Sequence, residues 1–204
     1  MRHLLFTFFT LCAAVASAMT AADAFTTAPA KVFPLLDHNT RLDMVDYFKS
    51  GLSTPSANLM QGSSVITDLT PTSVKVKLTD SSTAQMVVLP VGSDTVIALI
   101  STVATPGLDS TISFFNSKWE PVDAARYFAK PEWKDWVNPG TSVEEVTMQT
   151  PFMLASYDYT PADGTLTLTN NLAKFLDPDV YEMISGSLRG QLVYAWNGKK
   201  FVKR

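Results

Sequence analysis

The chain has 204 residues, of which 46% are hydrophobic and 17% charged, and its formal net charge is −3. Phosphate binding requires clustered Lys and Arg, and the sequence contains no basic block, so this balance argues against a nucleic-acid partner. The hydrophobic share excludes a disordered chain, and the length suits one domain or two small ones.

The first eighteen residues have the pattern of an export signal. Met1 to His3 form a short basic start, Leu4 to Val15 are almost entirely apolar, and Ala16 to Ala18 offer the small-x-small pattern that a signal peptidase cleaves. The apolar run is shorter than the roughly 20 residues that span a bilayer. We therefore expect residues 1–18 to be a cleaved signal peptide, with a cut after Ala24 as the alternative. No later segment is long and apolar enough to cross a membrane.

Removal of this signal also removes Cys12, the one cysteine of the chain. The exported protein then lacks disulfide bonds, thiolate metal sites and cysteine nucleophiles, and a packed core must hold it together. Residues 19–34 are small and rich in Ala and Thr, and we interpret them as a flexible leader between the signal and the fold.

The first predicted helix begins at Asn39 or Thr40. Thr40 and Asp43 have the spacing of a capping box. One apolar stripe is expected to pack against the core, while charged residues such as Arg41 face away from it. The stripe consists of Leu42, Val45, Phe48 and Leu52.

A run of strands follows this helix. Residues 74–79 alternate between apolar and polar side chains, which is typical of a half-buried strand. Residues 84–91, 95–103 and 111–115 are further strands separated by turn residues. The short connections predict an antiparallel meander, which closes a first half at residues 35–120.

The second half, residues 121–204, has the same general order. A helix is expected over residues 123–128, followed by a shorter one from Glu132 to Val137. The remaining predicted elements are strands 143–148, 152–159 and 166–169, a helix from Asp177 to Ile184, and strands 191–196 and 200–203. Asp163-Gly164 and Asn197-Gly198 are hairpin signals, the second of type I′.

Two short similarities link the halves. Asp43 and Tyr47-Phe48 have the same spacing as Asp123 and Tyr127-Phe128, and Phe115 to Lys118 resembles Trp196 to Lys199. Chance similarity is the alternative to a duplication. The sequence thus predicts an α+β fold with antiparallel sheets, helices on one side and a duplicated helix-plus-meander unit, whose halves pack as one compact unit.

Few residues suit catalysis or metal binding. After signal removal His38 is the only histidine, and as a surface or capping residue it has no catalytic role. Ser187 lacks the glycine spacing of a nucleophile elbow. No catalytic residue, metal ligand or cofactor is therefore predicted.

Pairs of carboxylates could still serve a hydrolase. The candidate pairs are Asp158 with Asp163, Glu144 with Glu145, and Asp177 with Asp179. Each has a structural alternative, since Asp163 suits a turn, Asp177 an N-cap, and neighbouring residues of a strand point to opposite faces.

Trp133 and Trp136 are the candidate binding residues. On a helix, residues three apart share a face. If they are exposed, they could stack on a sugar or anchor a protein partner. If they are buried, they would join the helix to the sheet.

Several segments resemble a known family. They are Pro34 to Leu36, Asn39 to Tyr47, Asp68 to Thr70, Val87 to Pro90 and Phe114 to Trp119. They are similar to a family of exported proteins of the Bacteroides type that is known only as a domain of unknown function. The resemblance implies a Gram-negative export route, hence the periplasm or cell surface, and carries no catalytic residues. In outline the fold is also similar to the tandem folds of β-lactamase-inhibitor-protein-like and PepSY-like proteins.

These observations favour a non-enzymatic, exported binding or interaction module with an unknown protein or glycan partner. A carbohydrate-binding protein that uses exposed tryptophans is one alternative. A hydrolase with paired carboxylates is the other.

Overall fold

The computed structural model describes residues 19–104 and 106–204, and the predicted signal peptide lies outside these ranges. The described residues form a mixed α+β fold with two antiparallel sheets, which confirms the predicted fold class. None of their helices has the length and apolar character needed to cross a bilayer.

The larger sheet contains seven strands in sequential order, as the predicted meander requires. They are β1 Ser56–Ala57, β2 Ser63–Leu69, β3 Ser73–Thr79, β4 Ser82–Val91, β5 Asp94–Ala104, β6 Leu108–Asn116 and β7 Pro121–Val122. The central strand β4 is buried on both faces: Met86 and Val88 belong to one core, and Val87 and Leu89 to the other. This double burial explains why its sequence is almost continuously apolar.

Two helices, α1 (Ala21–Thr27) and α2 (His38–Lys49), cover one face of the large sheet. The prediction of a flexible leader at residues 19–34 is wrong. Thr20 and Asp23 form a capping box at the start of α1, and Ala21, Ala24 and Phe25 are buried against the sheet. A signal cut after Ala24 would divide this helix.

The orientation of α2 also differs from the prediction. The helix begins at His38, with Asp37 as N-cap, rather than at a Thr40 cap. Leu42 is 39% exposed, whereas Arg41 is only 2% exposed. The Arg41 guanidinium donates to the carbonyl groups of Leu36, Thr26 and Ala28. These carbonyls lie in the segment that precedes α2, so the arginine ties that segment to the helix.

The smaller sheet contains four strands in the order β11-β10-β9-β8. Their bounds are β8 Ala155–Thr160, β9 Thr165–Asn170, β10 Gln191–Trp196 and β11 Phe201–Lys203. Both predicted hairpins are present, with Gly164 and Gly198 in the left-handed region. Asn197 does not have a positive φ, so the second turn is not type I′; its side chain accepts instead from the N–H groups of Lys199 and Lys200.

Strand β8 attaches the small sheet to the large one through side chains. The backbone N–H of Ala155 donates to Asp109, that of Tyr157 to Ser110, and that of Tyr159 to Gln85. These acceptors lie on β6 and β4. The outer edge of β8 is therefore hydrogen-bonded without a neighbouring strand, which removes an exposed edge that could aggregate. The second core fills the space between the sheets.

Three further helices lie beside the small sheet: α3 Trp133–Trp136, α4 Val143–Gln149 and α5 Pro178–Ser185. α3 and α5 confirm predicted helices. The predicted strand at residues 143–148 is wrong, because Ser142 caps a helix there by accepting from the Glu145 N–H. The predicted placement of helices on one side therefore applies to α1 and α2 on the large sheet, whereas α3, α4 and α5 lie beside the small one.

The predicted duplication is not confirmed. The segment expected to be a helix at residues 123–128 contains only a 3-10 turn, Ala124–Arg126. Tyr127 and Phe128 are buried, whereas Tyr47 is exposed on α2. The similar sequences therefore have different structures and different environments.

Candidate functional site

The two candidate tryptophans lie on α3 and differ in exposure. Trp136 is 2% exposed and belongs to the core between the sheets, while Trp133 is half-buried. The exposed pair that a sugar-stacking platform requires is therefore not present. Trp136 nevertheless lines a small cavity.

His38 has a local structural role. Its Nδ1 lies 2.8 Å from the carbonyl oxygen of Thr26 at the end of α1. The side chain is exposed at the first position of α2. It therefore links the two helices of the outer layer.

Several candidate carboxylates also have local partners. Asp158 pairs with Lys75 at 2.6 Å, and Asp163 accepts from the N–H and hydroxyl of Thr165. The hydrogen bonds from Thr165 lower the pKa of Asp163, in keeping with its place in a turn. Asp177 caps α5 by accepting from the Asp179 N–H.

Glu144 and Glu145 lie in the first turn of α4, where negative charge is favourable beside the helix N-terminus. Within residues 19–104 and 106–204, no group of three or more His, Asp or Glu side chains is arranged to hold a metal ion.

The most distinctive concave feature is a cleft where β6 and β8 meet, hereafter the inter-sheet cleft. It consists of two adjoining cavities of about 250 and 100 Å³. Ser110, Thr111, Lys130 and Tyr157 line both cavities. Ala124 and Phe128 contribute to the outer one, and Asp109 and Trp136 to the inner one.

The fold forms this cleft from three separate segments. Ser110 on β6 accepts from the Tyr157 N–H at 3.0 Å and shares a hydrogen bond with Thr102 on β5. Phe128 packs edge-on against Tyr157, with ring centroids 5.9 Å apart. The loop that continues to Lys130 thus closes one side of the cleft.

The electrostatics of the cleft centre on Tyr157. Burial raises the pKa of its hydroxyl to about 12, and the nearby Asp109 carboxylate adds to the shift. The phenol is therefore neutral at physiological pH and can donate or accept a hydrogen bond. Lys130 is exposed at the cleft and forms no ion pair with any residue of the described ranges. The cleft thus offers a cation, a neutral phenol and aromatic walls.

A larger depression of about 470 Å³ lies where α1, α2 and the turn after β2 meet. Its walls include Phe48, Leu69 and Pro71, and Lys49 is its one charged residue. It offers less varied chemistry than the inter-sheet cleft, so we regard the cleft as the candidate site.

Sequence reasoning found one wall of the cleft, Trp136, and missed the rest. Tyr157 and Ser110 lie on different sheets, and no spacing in the sequence indicates that they meet. The one local signal was the pair Tyr157 and Tyr159 on alternate positions of a strand, which share a face.

Comparisons with known proteins support the fold. A family model described as a protein of unknown function (DUF3256) matches residues 13–201. The chain is also similar to a solved structure, a domain of an uncharacterized protein from Porphyromonas gingivalis W83. That match has a TM-score of 0.78 at 19% identity and covers 90% of this chain and 96% of that chain. No curated protein matches the sequence.

The predicted resemblance to a domain of unknown function is thereby confirmed, and the Porphyromonas gingivalis W83 domain has a similar fold. The outline similarity to β-lactamase-inhibitor-protein-like and PepSY-like folds is not confirmed. At 19% identity the solved structure shows a common fold and nothing about a ligand.

Proposed function

The chain belongs to the DUF3256 family, whose function is unknown, and we propose that it is a non-enzymatic exported module that binds a small polar ligand in the inter-sheet cleft. The family supplies no catalytic residues, so the proposal depends on the cleft itself. Export rests on the N-terminal pattern, and the periplasm or surface of a Gram-negative bacterium is the proposed location.

The observation that supports this proposal is the convergence of unlike groups in one partly enclosed space. Phe128 and Trp136 provide apolar walls, Lys130 an exposed cation, and Tyr157 a phenol within a largely buried setting. Small-molecule sites have this composition: mostly apolar walls with a few placed polar groups and a shifted pKa.

A saccharide is the ligand class that these walls favour. Sugars present hydroxyl groups at their edges and apolar C–H faces, and aromatic side chains can pack on the latter while polar groups bond the former. Trp136 is buried, so it contributes only the edge that lines the inner cavity. The paired-carboxylate hydrolase has less support, since Asp158, Asp163 and Asp177 each have a local partner.

The test is a thermal-shift screen of the exported form against monosaccharides and short glycans. A ligand that binds only the native state raises its stability by about 2.7 kcal/mol at 100 times its Kd. We expect Ala124→Phe to abolish the shift, because Ala124 lines the outer cavity. Ala125→Phe is the matched control, since its exposed side chain lies one residue away and outside the cleft.

An equal thermal shift in both variants would place the ligand elsewhere and overturn the assignment. A catalytic role is tested in parallel by assaying the same glycans for hydrolysis. Turnover that disappears in Asp158→Asn would contradict the non-enzymatic proposal.

A further inference from the structure

A second concave surface lies on the other side of the loop that closes the cleft. It is a depression of about 390 Å³ between residues 129–135 and strand β11, hereafter the basic depression. Four lysines and two carboxylates line it. They are Lys130, Lys134, Lys200, Lys203, Glu132 and Asp135.

The tertiary structure alone brings these lysines together. The N–H of Phe201 donates to the Tyr127 carbonyl at 2.8 Å, which places β11 beside the loop. Lys203 pairs with Asp135 at 2.8 Å across 68 positions of sequence. The prediction that no basic block exists was made from the linear sequence and does not describe this surface.

Both carboxylates of the depression are already paired. Lys203 pairs with Asp135, and Lys134 with Glu132 at 2.7 Å. Lys130 and Lys200 make no ion pair within the described ranges. The chain as a whole carries a net charge of −3, so this surface is positive on a protein that is otherwise negative. The four lysines outnumber the two carboxylates, and a concave surface with such an excess of positive charge raises the local concentration of anionic ligands.

The floor of the depression is apolar. Tyr194 and Phe201 are buried beneath it, and Val202 is exposed beside them. The volume lies in the range of about 300–1,000 Å³ that is typical of small-molecule sites. Lysine ammonium groups bind phosphate oxygens as point charges, and separate lysines can neutralise separate groups.

We propose that the basic depression binds a compact ligand with at least two phosphate groups, held by Lys130 and Lys200. A soluble polyphosphate and a phosphorylated lipid headgroup share this chemistry, and the experiment below distinguishes them. Lys130 lines both the basic depression and the inter-sheet cleft, so the two proposals share that residue. Lys200 is absent from the cleft, so a substitution at Lys200 tests the basic depression separately.

Inorganic tripolyphosphate is the first probe, and its binding to the exported form is measured by calorimetry at low and high salt. We expect saturable binding that weakens as salt rises, because screening reduces charge attraction. Lys200→Glu should weaken binding by about tenfold or more, which corresponds to about 1.4 kcal/mol or more, because the variant replaces a positive charge with a negative one. Lys118→Glu, a reversal of an exposed lysine outside the depression, should leave binding unchanged.

A second arm uses vesicles of phosphatidylcholine with and without a diphosphorylated lipid. Binding to the phosphorylated vesicles that Lys200→Glu removes identifies the headgroup as a source, and tripolyphosphate binding alone identifies a soluble one. Absence of saturable tripolyphosphate binding, or equal loss in the Lys118→Glu control, overturns the proposal. Binding of duplex DNA without tripolyphosphate binding overturns it as well.

Discussion

Gln85 holds the two sheets together through one side chain, which makes it the most informative position for a test. Its Oε1 accepts from the Tyr159 N–H at 2.8 Å, and its Nε2 donates to the Tyr159 carbonyl at 2.7 Å and to Ser73 Oγ at 3.1 Å. The residue is 5% exposed. The amide therefore satisfies both backbone groups of Tyr159 at the outer edge of β8.

Gln85→Leu keeps the approximate size of the side chain and removes all three of its hydrogen bonds, including both to the backbone of Tyr159. Each buried backbone group left without a partner costs about 1–3 kcal/mol, so we expect a loss of about 3 kcal/mol in the free energy of unfolding. In urea this moves the midpoint down by roughly 1–2 M at an unchanged slope. Hydrogen exchange should quicken most at the Tyr159 amide.

Gln85→Glu adds a pH dependence. When ionised, the new carboxylate can accept from the Tyr159 N–H but repels its carbonyl oxygen, and burial raises its pKa above the unfolded value. The destabilisation is then complete above the folded pKa and shrinks as the pH falls toward the unfolded pKa of about 4.3. When protonated, the carboxyl can donate to the carbonyl again.

Gln191 on β10 provides the matched control, because its exposed amide donates to Thr169 Oγ1 at 3.2 Å. Gln191→Leu should change the free energy of unfolding by less than about 0.5 kcal/mol. The reasoning is refuted if Gln85→Leu is equally mild, or if the effect of Gln85→Glu is independent of pH.

Three further predictions follow from single side chains. Arg41→Met should lower the free energy of unfolding by about 2–4 kcal/mol, because the carbonyl groups that Arg41 serves lose a charged donor. Limited proteolysis should cut the segment before α2 sooner in this variant than in the control Lys49→Met. Equal cleavage of the two variants would contradict the role of Arg41. Burial raises the pKa of Tyr157 to about 12. The wild type should therefore lose stability between pH 10 and 12 more steeply than Tyr157→Phe, as measured by alkaline unfolding curves. Parallel curves for the two proteins would contradict the raised pKa. Hydrogen bonds from Thr40 lower the pKa of Asp37. The stabilising effect of Asp37 should therefore be present above about pH 4 and vanish as the pH falls through the folded pKa. Asp37→Ala should reduce this acid-dependent loss of helicity, measured by circular dichroism against pH.

Some of the sequence errors had local signals that could have prevented them. Ser142 and Glu145 have the spacing of a helix start, a signal that the strand prediction for residues 143–148 did not use. Thr20 and Asp23 give the same signal for α1. At residues 19–34 the small, Ala- and Thr-rich composition favoured a flexible segment over the cap.

Other errors had no local remedy. Arg41 was expected to face solvent because it lies off the predicted apolar stripe of the helix. The carbonyl groups that it serves belong to Thr26, Ala28 and Leu36, and their convergence on the guanidinium is a property of the folded segment. The exposure of Leu42 follows from the same rotation of the helix.

The sequence by itself determined the class of this protein. Period-two alternation and turn residues predict the strands, because side chains of a strand alternate between core and solvent, and that information is local. The meander, the helix α5 and the hairpins at Gly164 and Gly198 are all present in the structure.

Only the tertiary structure decided where ligands could bind. The inter-sheet cleft joins β6, β8 and the loop at Lys130, and the basic depression joins that loop to β11. Each site depends on how side chains such as Gln85 and Ser110 dock one sheet against the other. Contacts between residues so distant in the chain leave no periodic trace in the sequence, so the fold class is readable from it and the sites are not.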